Sequence, residues 1–213
     1  MGFDDLKTPQ SAEYKAFATF ASRLMTGIDL GGRFLQMETN NRSRSADDRA
    51  KFRIDARLTL DGEQIGVLDV ERKPQWGGGP WPYRQINIPY RPFKCFENGW
   101  NGDGMLSSKV RELHAAWKAS RPGFWVAYSS PVADSSGQQM IVSRQACLVV
   151  PASHIFGKQF SPSVEKQGTR YGNSVDVIAI PNDAGTICFS EDEFTPVIVD
   201  AVAAWLKTQE VTA

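Results

Sequence analysis

Apolar positions 14, 17, 18, 21, 24 and 25 recur at the spacing of one helical face, which predicts a helix over 11–25 with Ser11 as its N-cap. Gly27, Gly31 and Gly32 end that pattern, 33–39 alternates as a strand does, and the polar run 40–49 reads as an exposed loop. The clearest local signal is a hairpin. Ile54, Ala56, Leu58 and Leu60 fall on one face of 52–60, Asp61-Gly62 is a tight-turn dipeptide, and 64–73 supplies the second arm. The stretch 74–83 is a loop rich in glycine and aromatics, and 84–96 is basic and punctuated by Pro89 and Pro92. A second amphipathic helix fits 106–120, with Val110, Leu113, Ala116 and Trp117 inward. Apolar runs at 124–128 and 140–150 predict two buried strands around a polar loop, and shorter strands fit 175–180 and 186–189. A closing helix over 191–207 starts with acids and ends in Lys207, as the helix dipole favours. Helix, three strands, helix and further strands imply an α/β (α+β) fold.

With 213 residues, 41% of them apolar, the chain can bury a core without crosslinks and reads as a single domain over 1–213. Cys95, Cys147 and Cys188 show no paired spacing and fit a reducing compartment. Met1 to Thr8 is charged and lacks a leader-like apolar run, and no segment approaches the roughly 18 apolar residues of a membrane span. A cytoplasmic protein with no membrane partner is the expectation. Lys plus Arg and Asp plus Glu each number 24, and this zero net charge gives no general case for a polyanion partner. The distribution changes the picture: Arg33 to Lys94 holds 12 basic and 8 acidic residues, so that stretch carries +4 and the remainder −4. A polyanion site belongs in the first stretch.

Within it, one strand face is odd. Residues two apart share a face, so Asp69, Glu71 and Lys73 project opposite to Leu68 and Val70. On the preceding arm Asp55 stands opposite Ile54 and Ala56. A two-residue loop at 61–62 would pair Asp55 with Leu68, on the wrong side. A three-residue loop over 61–63 would pair Asp55 with Asp69 and Ala56 with Leu68. The second register is preferred, because it makes one apolar face and lets Asp55, Asp69 and Glu71 converge on the other. Clustered carboxylates repel unless a cation or protons neutralise them. Oxygen-only ligands suit Mg²⁺ or Mn²⁺, and a nearby lysine could position or help activate an attacking water.

Asp55, fifteen intervening residues and then Glu71-Arg72-Lys73 resembles the Asp…(Asp/Glu)-x-Lys signature of the PD-(D/E)XK nuclease-like superfamily. The element order over about 11–130 is similar to that family's core of helix, three-stranded meander, helix and strand. The resemblance implies a restriction-endonuclease-like core, a central mixed β-sheet flanked by helices, with C-terminal strand and helix additions over about 138–213. It also implies Asp55 and Glu71 as metal ligands and Lys73 as the catalytic lysine, with Asp69 assisting. Glu38, and more weakly Glu13, sit where some members carry an additional acid. The sequence departs from the family pattern in two places: Ile54 replaces the proline, and Arg72 replaces an apolar middle residue. Shifting the motif to Asp69-Val70-Glu71 restores the apolar middle residue, and both alignments stay open. Dimers that cut both strands are common in the family, so a homodimer is a further expectation.

Downstream, Arg84, Gln85, Arg91 and Lys94 are suited to phosphate contacts, and Trp76, Trp81 and Tyr83 to stacking on an unpaired base or wedging a duplex. Core cover is an equal reading for these aromatics. His114 and His154 lack partners at ligand spacing, Cys147 and Cys188 read as buried hydrophobes, and Gly77 to Gly79 is not followed by a phosphate-loop lysine. The resulting expectation is a Mg²⁺-dependent nuclease, an endonuclease acting on DNA. The alternative is an inactive nuclease-like protein, of viral or mobile-element origin, that binds nucleic acid or a protein.

Overall fold

A computed structural model describes residues 12–39, 54–73, 76–90, 108–129, 145–168 and 174–212. Helix α1 (Ala12–Thr26) buries Phe17, Ala21 and Leu24 of the expected face together with Ala16 and Phe20, while Ala18 and Met25 are only partly buried, so the buried face is turned slightly from the expected one. Its expected cap, Ser11, and the polar loop 40–49 lie outside the described residues. Strands β1 (Ile28–Asp29) and β2 (Phe34–Thr39) form a small hairpin, with Gly31 and Gly32 at φ +70° and +92° reversing the chain between them. Strands β3 (Ala56–Leu60) and β4 (Glu63–Arg72) follow, then β5 (Gln85–Tyr90), helix α2 (Ser108–Lys118) and β6 (Gly123–Tyr128). The C-terminal part adds β7 (Cys147–Pro151), α3 (Ala152–Phe156), β8 (Ser163–Gly168), β9 (Ser174–Pro181), a 3₁₀ turn, β10 (Thr186–Cys188) and α4 (Glu191–Thr212). No helix among the described residues is long and apolar enough to cross a membrane.

The main sheet has seven strands in the order β1-β2-β3-β4-β6-β7-β10. It is mixed: every pairing is antiparallel except β4 with β6, where the chain passes through α2 before returning. This is the α/β arrangement of a mixed sheet flanked by helices that the element order implied. The C-terminal strands are not a separate layer, since β7 and β10 continue the main sheet while β8 and β9 join β5 in a second, three-stranded sheet.

Strand β5 falls in the segment read as basic and proline-broken. Ile86 and Ile88 alternate inward from it, and Pro89 is tolerated because β5 is an edge strand. Strand β8 and the short α3 have no counterpart in the expected elements.

The hairpin reaches the preferred register by a different route from the one expected. Leu60 faces Glu63, so the loop has two residues, with Asp61 and Gly62 both at positive φ (+53° and +84°), the backbone of a type I′ turn. The pairing then jumps between Leu58 and Thr59: Thr59 faces Gln64, Leu58 faces Gly66, and Ile65 is a bulged extra residue on β4. That insertion, rather than a three-residue loop, sets Ala56 opposite Leu68. Asp61 also ties the turn to β2, accepting hydrogen bonds from Phe34 N (2.7 Å) and Arg33 Nε (3.0 Å). These bonds hold its carboxyl below the usual range.

Two hydrophobic clusters lie on opposite faces of the sheet. One joins α1 and α4 to Leu35, Met37, Ala56, Leu58, Leu68, Val70 and Val126. The other joins α2 and the second sheet to Val67, Trp125, Ala127, Leu148 and Val150. Ile54 was expected beside Ala56 and Leu58 but packs in the second cluster. The chain bends at Asp55, just before the ladder begins, so the alternation does not extend through it.

Candidate functional site

The bulge leaves Val67, Asp69 and Glu71 on the face of β4 opposite Leu68 and Val70. In parallel register Asp69 stands beside Trp125 of β6 and Glu71 beside Ala127. Beyond the strand, Lys73 N donates to Tyr128 O at 2.9 Å, which fixes where its side chain starts. Lys73 Nζ reaches back to Glu71 Oε1 at 2.9 Å, with the two side chains only 16% and 14% exposed. The same ammonium lies 5.3 Å from the centroid of the Trp125 ring, a cation–π distance.

Asp55 arrives differently. Its neighbour Ile54 would face Val70 in a continued ladder, but the chain has bent, and Asp55 Oδ2 instead accepts the Val70 N–H at 2.9 Å. The carboxylate thus stands in for a missing backbone acceptor and comes to rest beside the Asp69–Glu71 segment. Asp55 and Asp69 are 9% and 7% exposed, the two buried carboxylates among the described residues. Such groups persist only with hydrogen-bonded or charged partners. The structure therefore brings Asp55, Asp69, Glu71 and Lys73 to one end of β4. Among the described residues no group of three His, Cys, Asp or Glu side chains is gathered as a metal cage.

Glu38 is not brought to them. It is exposed and pairs across with Arg57, which in turn faces Val67, so a whole strand separates Glu38 from β4. The structure describes nothing of the Glu13 side chain. Arg91 and Lys94 lie outside the described residues. Arg84 is exposed, while the Gln85 amide is engaged by Asn87 Oδ1 (3.0 Å) and Glu165 Oε2 (2.8 Å). Trp76 requires a correction as a nucleic-acid contact. It is 1% exposed within the second cluster and donates Nε1–H to Gly79 O at 3.1 Å, so neither ring face is open to a base. Core cover is the reading that holds for it.

Two residues absent from the predicted site, Arg57 and Trp125, belong to its surroundings, as does Tyr83, which the sequence offered for stacking. Arg57 Nε and Trp125 Nε1 are buried with no hydrogen-bond partner, and both residues share the face of Asp69 by register. Tyr83 lies close enough to Glu71 that the carboxylate, after burial, is a cause of its raised phenol pKa. Parallel pairing across α2 placed Trp125 there, and no spacing within one segment could signal it.

The remaining reactive side chains fit structural roles. His154 Nδ1 contacts Ala184 O at 2.7 Å, and His114 packs against Trp117 and Phe156. Cys147 and Cys188 face one another across β7 and β10, free and buried. Burial pushes the Cys147 thiol well up and that of Cys188 to about 11. Comparison with known proteins finds no family model, curated protein or solved structure that matches the chain.

Proposed function

We propose that the chain is a metal-dependent nuclease that hydrolyses phosphodiester bonds of nucleic acid, DNA in the first instance, at the end of β4. One observation carries the reading: Asp69 and Asp55, both buried and the latter bonded to Val70 N, lie along the same strand end as a Glu71–Lys73 ion pair, after a helix and a three-stranded meander and beside a parallel strand. The likeness to the PD-(D/E)XK superfamily rests on that element order and on the Asp55…Glu71-Arg72-Lys73 spacing. The donor set fits a hard divalent cation, because it holds carboxylate oxygens without histidine or thiolate. Mg²⁺ does not need a three-acid cage, since it is commonly held by one or two carboxylates plus waters and substrate phosphates. Asp55 and Glu71, with Asp69 on the same strand, are the carboxylates from which one or two would hold it, and it would supply an acidified water and a positive charge beside the phosphate. Lys73, released from Glu71, would orient the attacking water, and its ring neighbour Trp125 would keep the ammonium near the strand end.

A second reading is favoured by the pairing itself. Asp55 already serves Val70 N and Glu71 already serves Lys73, so the constellation is self-satisfied. In that reading the protein binds nucleic acid or a protein partner without cutting.

Calorimetric titration with Mn²⁺, run beside DNA cleavage, separates the two. The nuclease reading expects binding to wild type, marked weakening in Glu71→Gln, and cleavage slowed about 10²–10⁴-fold in Lys73→Met below its own, lowered melting temperature, with the fold checked by circular dichroism. Wild type that neither binds Mn²⁺ nor cuts would overturn the nuclease reading, and binding of an uncleaved oligonucleotide would then support the second.

A further inference from the structure

Resting on the nuclease reading of this site, one feature bears on the form of the substrate. Tyr83 is one of three large hydrophobic side chains exposed among the described residues, at 38%, and the ring chain that holds it starts at the acid face, where Trp76 N donates to Lys73 O at 3.0 Å. Its position is firmly set. Buried Trp76 meets Trp81 edge-on at 5.0 Å, and Trp81 meets Tyr83 edge-on at 5.2 Å, a chain of rings rooted in the second cluster. Asn182 Nδ2 donates to Tyr83 O at 2.8 Å, and Trp81 Nε1 donates to Gln85 O at 3.1 Å, so the backbone is clamped on both sides. An aromatic face held in place before binding loses little conformational freedom when a ligand covers it. Exposed Arg84 follows directly and can reach a phosphate.

The acids themselves are recessed. Asp55 and Asp69 are buried, and Glu71 and Lys73 are each exposed by less than one fifth. A duplex carries its phosphates on a stiff rod and keeps its bases stacked on one another, so reaching such a recess requires deformation. A single strand bends locally and offers free base faces, each worth about 1–3 kcal/mol on an aromatic platform. We infer that the site takes an unpaired nucleotide, with the base stacked on Tyr83 and the adjoining phosphate entering between Arg84 and the Glu71–Lys73 end. The substrate class is then single-stranded nucleic acid, or a frayed end, rather than intact duplex.

The test is fluorescence anisotropy with a labelled 12-nucleotide oligothymidylate and a 12-base-pair duplex, in EDTA so that cleavage plays no part. Oligothymidylate should bind more tightly than duplex. Tyr83→Ala should weaken single-strand binding about fivefold to hundredfold, while Tyr83→Phe, which keeps the ring, stays near wild type. Circular dichroism checks that both variants fold. An oligouridylate arm assigns the sugar, and Tyr83-dependent binding of either oligomer supports the inference. Equal binding of duplex and single strand, no single-strand binding, or an unaltered Tyr83→Ala overturns it. Because no metal is present, these outcomes stand apart from the Mn²⁺ and cleavage results that decide the nuclease reading.

Discussion

The seven-stranded sheet has two faces that are closed in different ways. Toward α1 and α4 its residues are apolar from β2 to β7, and the rings of Phe17, Phe194 and Tyr128 pack among them, 6.0 and 6.1 Å apart between centroids. Toward α2 and the second sheet the apolar layer runs through Val67, Trp125 and Leu148 but gives way at the end of β4 to carboxylates and a lysine. Both buried carboxylates among the described residues are found at that end. The contrast separates two demands on one strand. Leu68 and Val70 pack into the core, while Asp69 and Glu71, between and beside them, face the other way, Glu71 paired with Lys73.

Substitutions can test that division. The largest effect is expected on the closed face: Leu68→Ala should cost about 2–5 kcal/mol, read as a lowered midpoint in urea, because a fully buried side chain leaves a cavity. Next comes Asp55→Ala, which strands the buried Val70 N–H and should cost about 1–3 kcal/mol, whereas Asp55→Asn retains an acceptor and should cost less. Asp55→Asn is therefore the cleaner probe of activity. Gly66→Ala should cost a similar 1–3 kcal/mol, since a Cβ there would come within 2.5 Å of Pro122 O.

Smaller still is the effect of pH. The thiols of Cys147 and Cys188 are harder to ionise folded than unfolded, so they favour the native state below pH 9, and for Cys188 that contribution is lost as pH rises from 9 to about 11. Alkaline unfolding in that window, and silence of these two thiols toward reagents at pH 8 until denaturant is added, read in a Cys95→Ser background, are the expected results. The smallest expected change is local. Glu71→Gln should lower the Tyr83 phenol pKa by removing a neighbouring negative charge, seen by absorbance titration against Tyr83→Phe.

Much of this arrangement was legible in the chain because it depends on local periodicity. Helix α1, the β3–β4 hairpin, α2, β6 and the face shared by Asp69 and Glu71 all follow from spacing within a single segment. What escaped depends on partners distant in sequence or on backbone irregularity. Strand β8 is exposed from Ser163 to Gln167 and so carries no apolar alternation to read. Strand β5 did alternate, but Pro89 masked it until β9 supplied a partner on one side only. The inward turn of Trp76 depends on where the second sheet lies, and a loop sequence does not record that. The pairing of Ala56 with Leu68 was expected, but the extra residue at Ile65, not the loop length, produced it, and Asp55 lies before the ladder with its carboxylate on Val70 N.

Ile65 therefore works as a reading frame does in a message. Remove that single residue and every downstream position of β4 would be translated onto the opposite face: Leu68 and Val70 among charges, Asp69 and Glu71 against the rings of α1 and α4. A lineage carrying this hairpin could exchange side chains along β4 one at a time. It could not shorten the strand by one residue there without losing its core and dispersing its acid face in the same step.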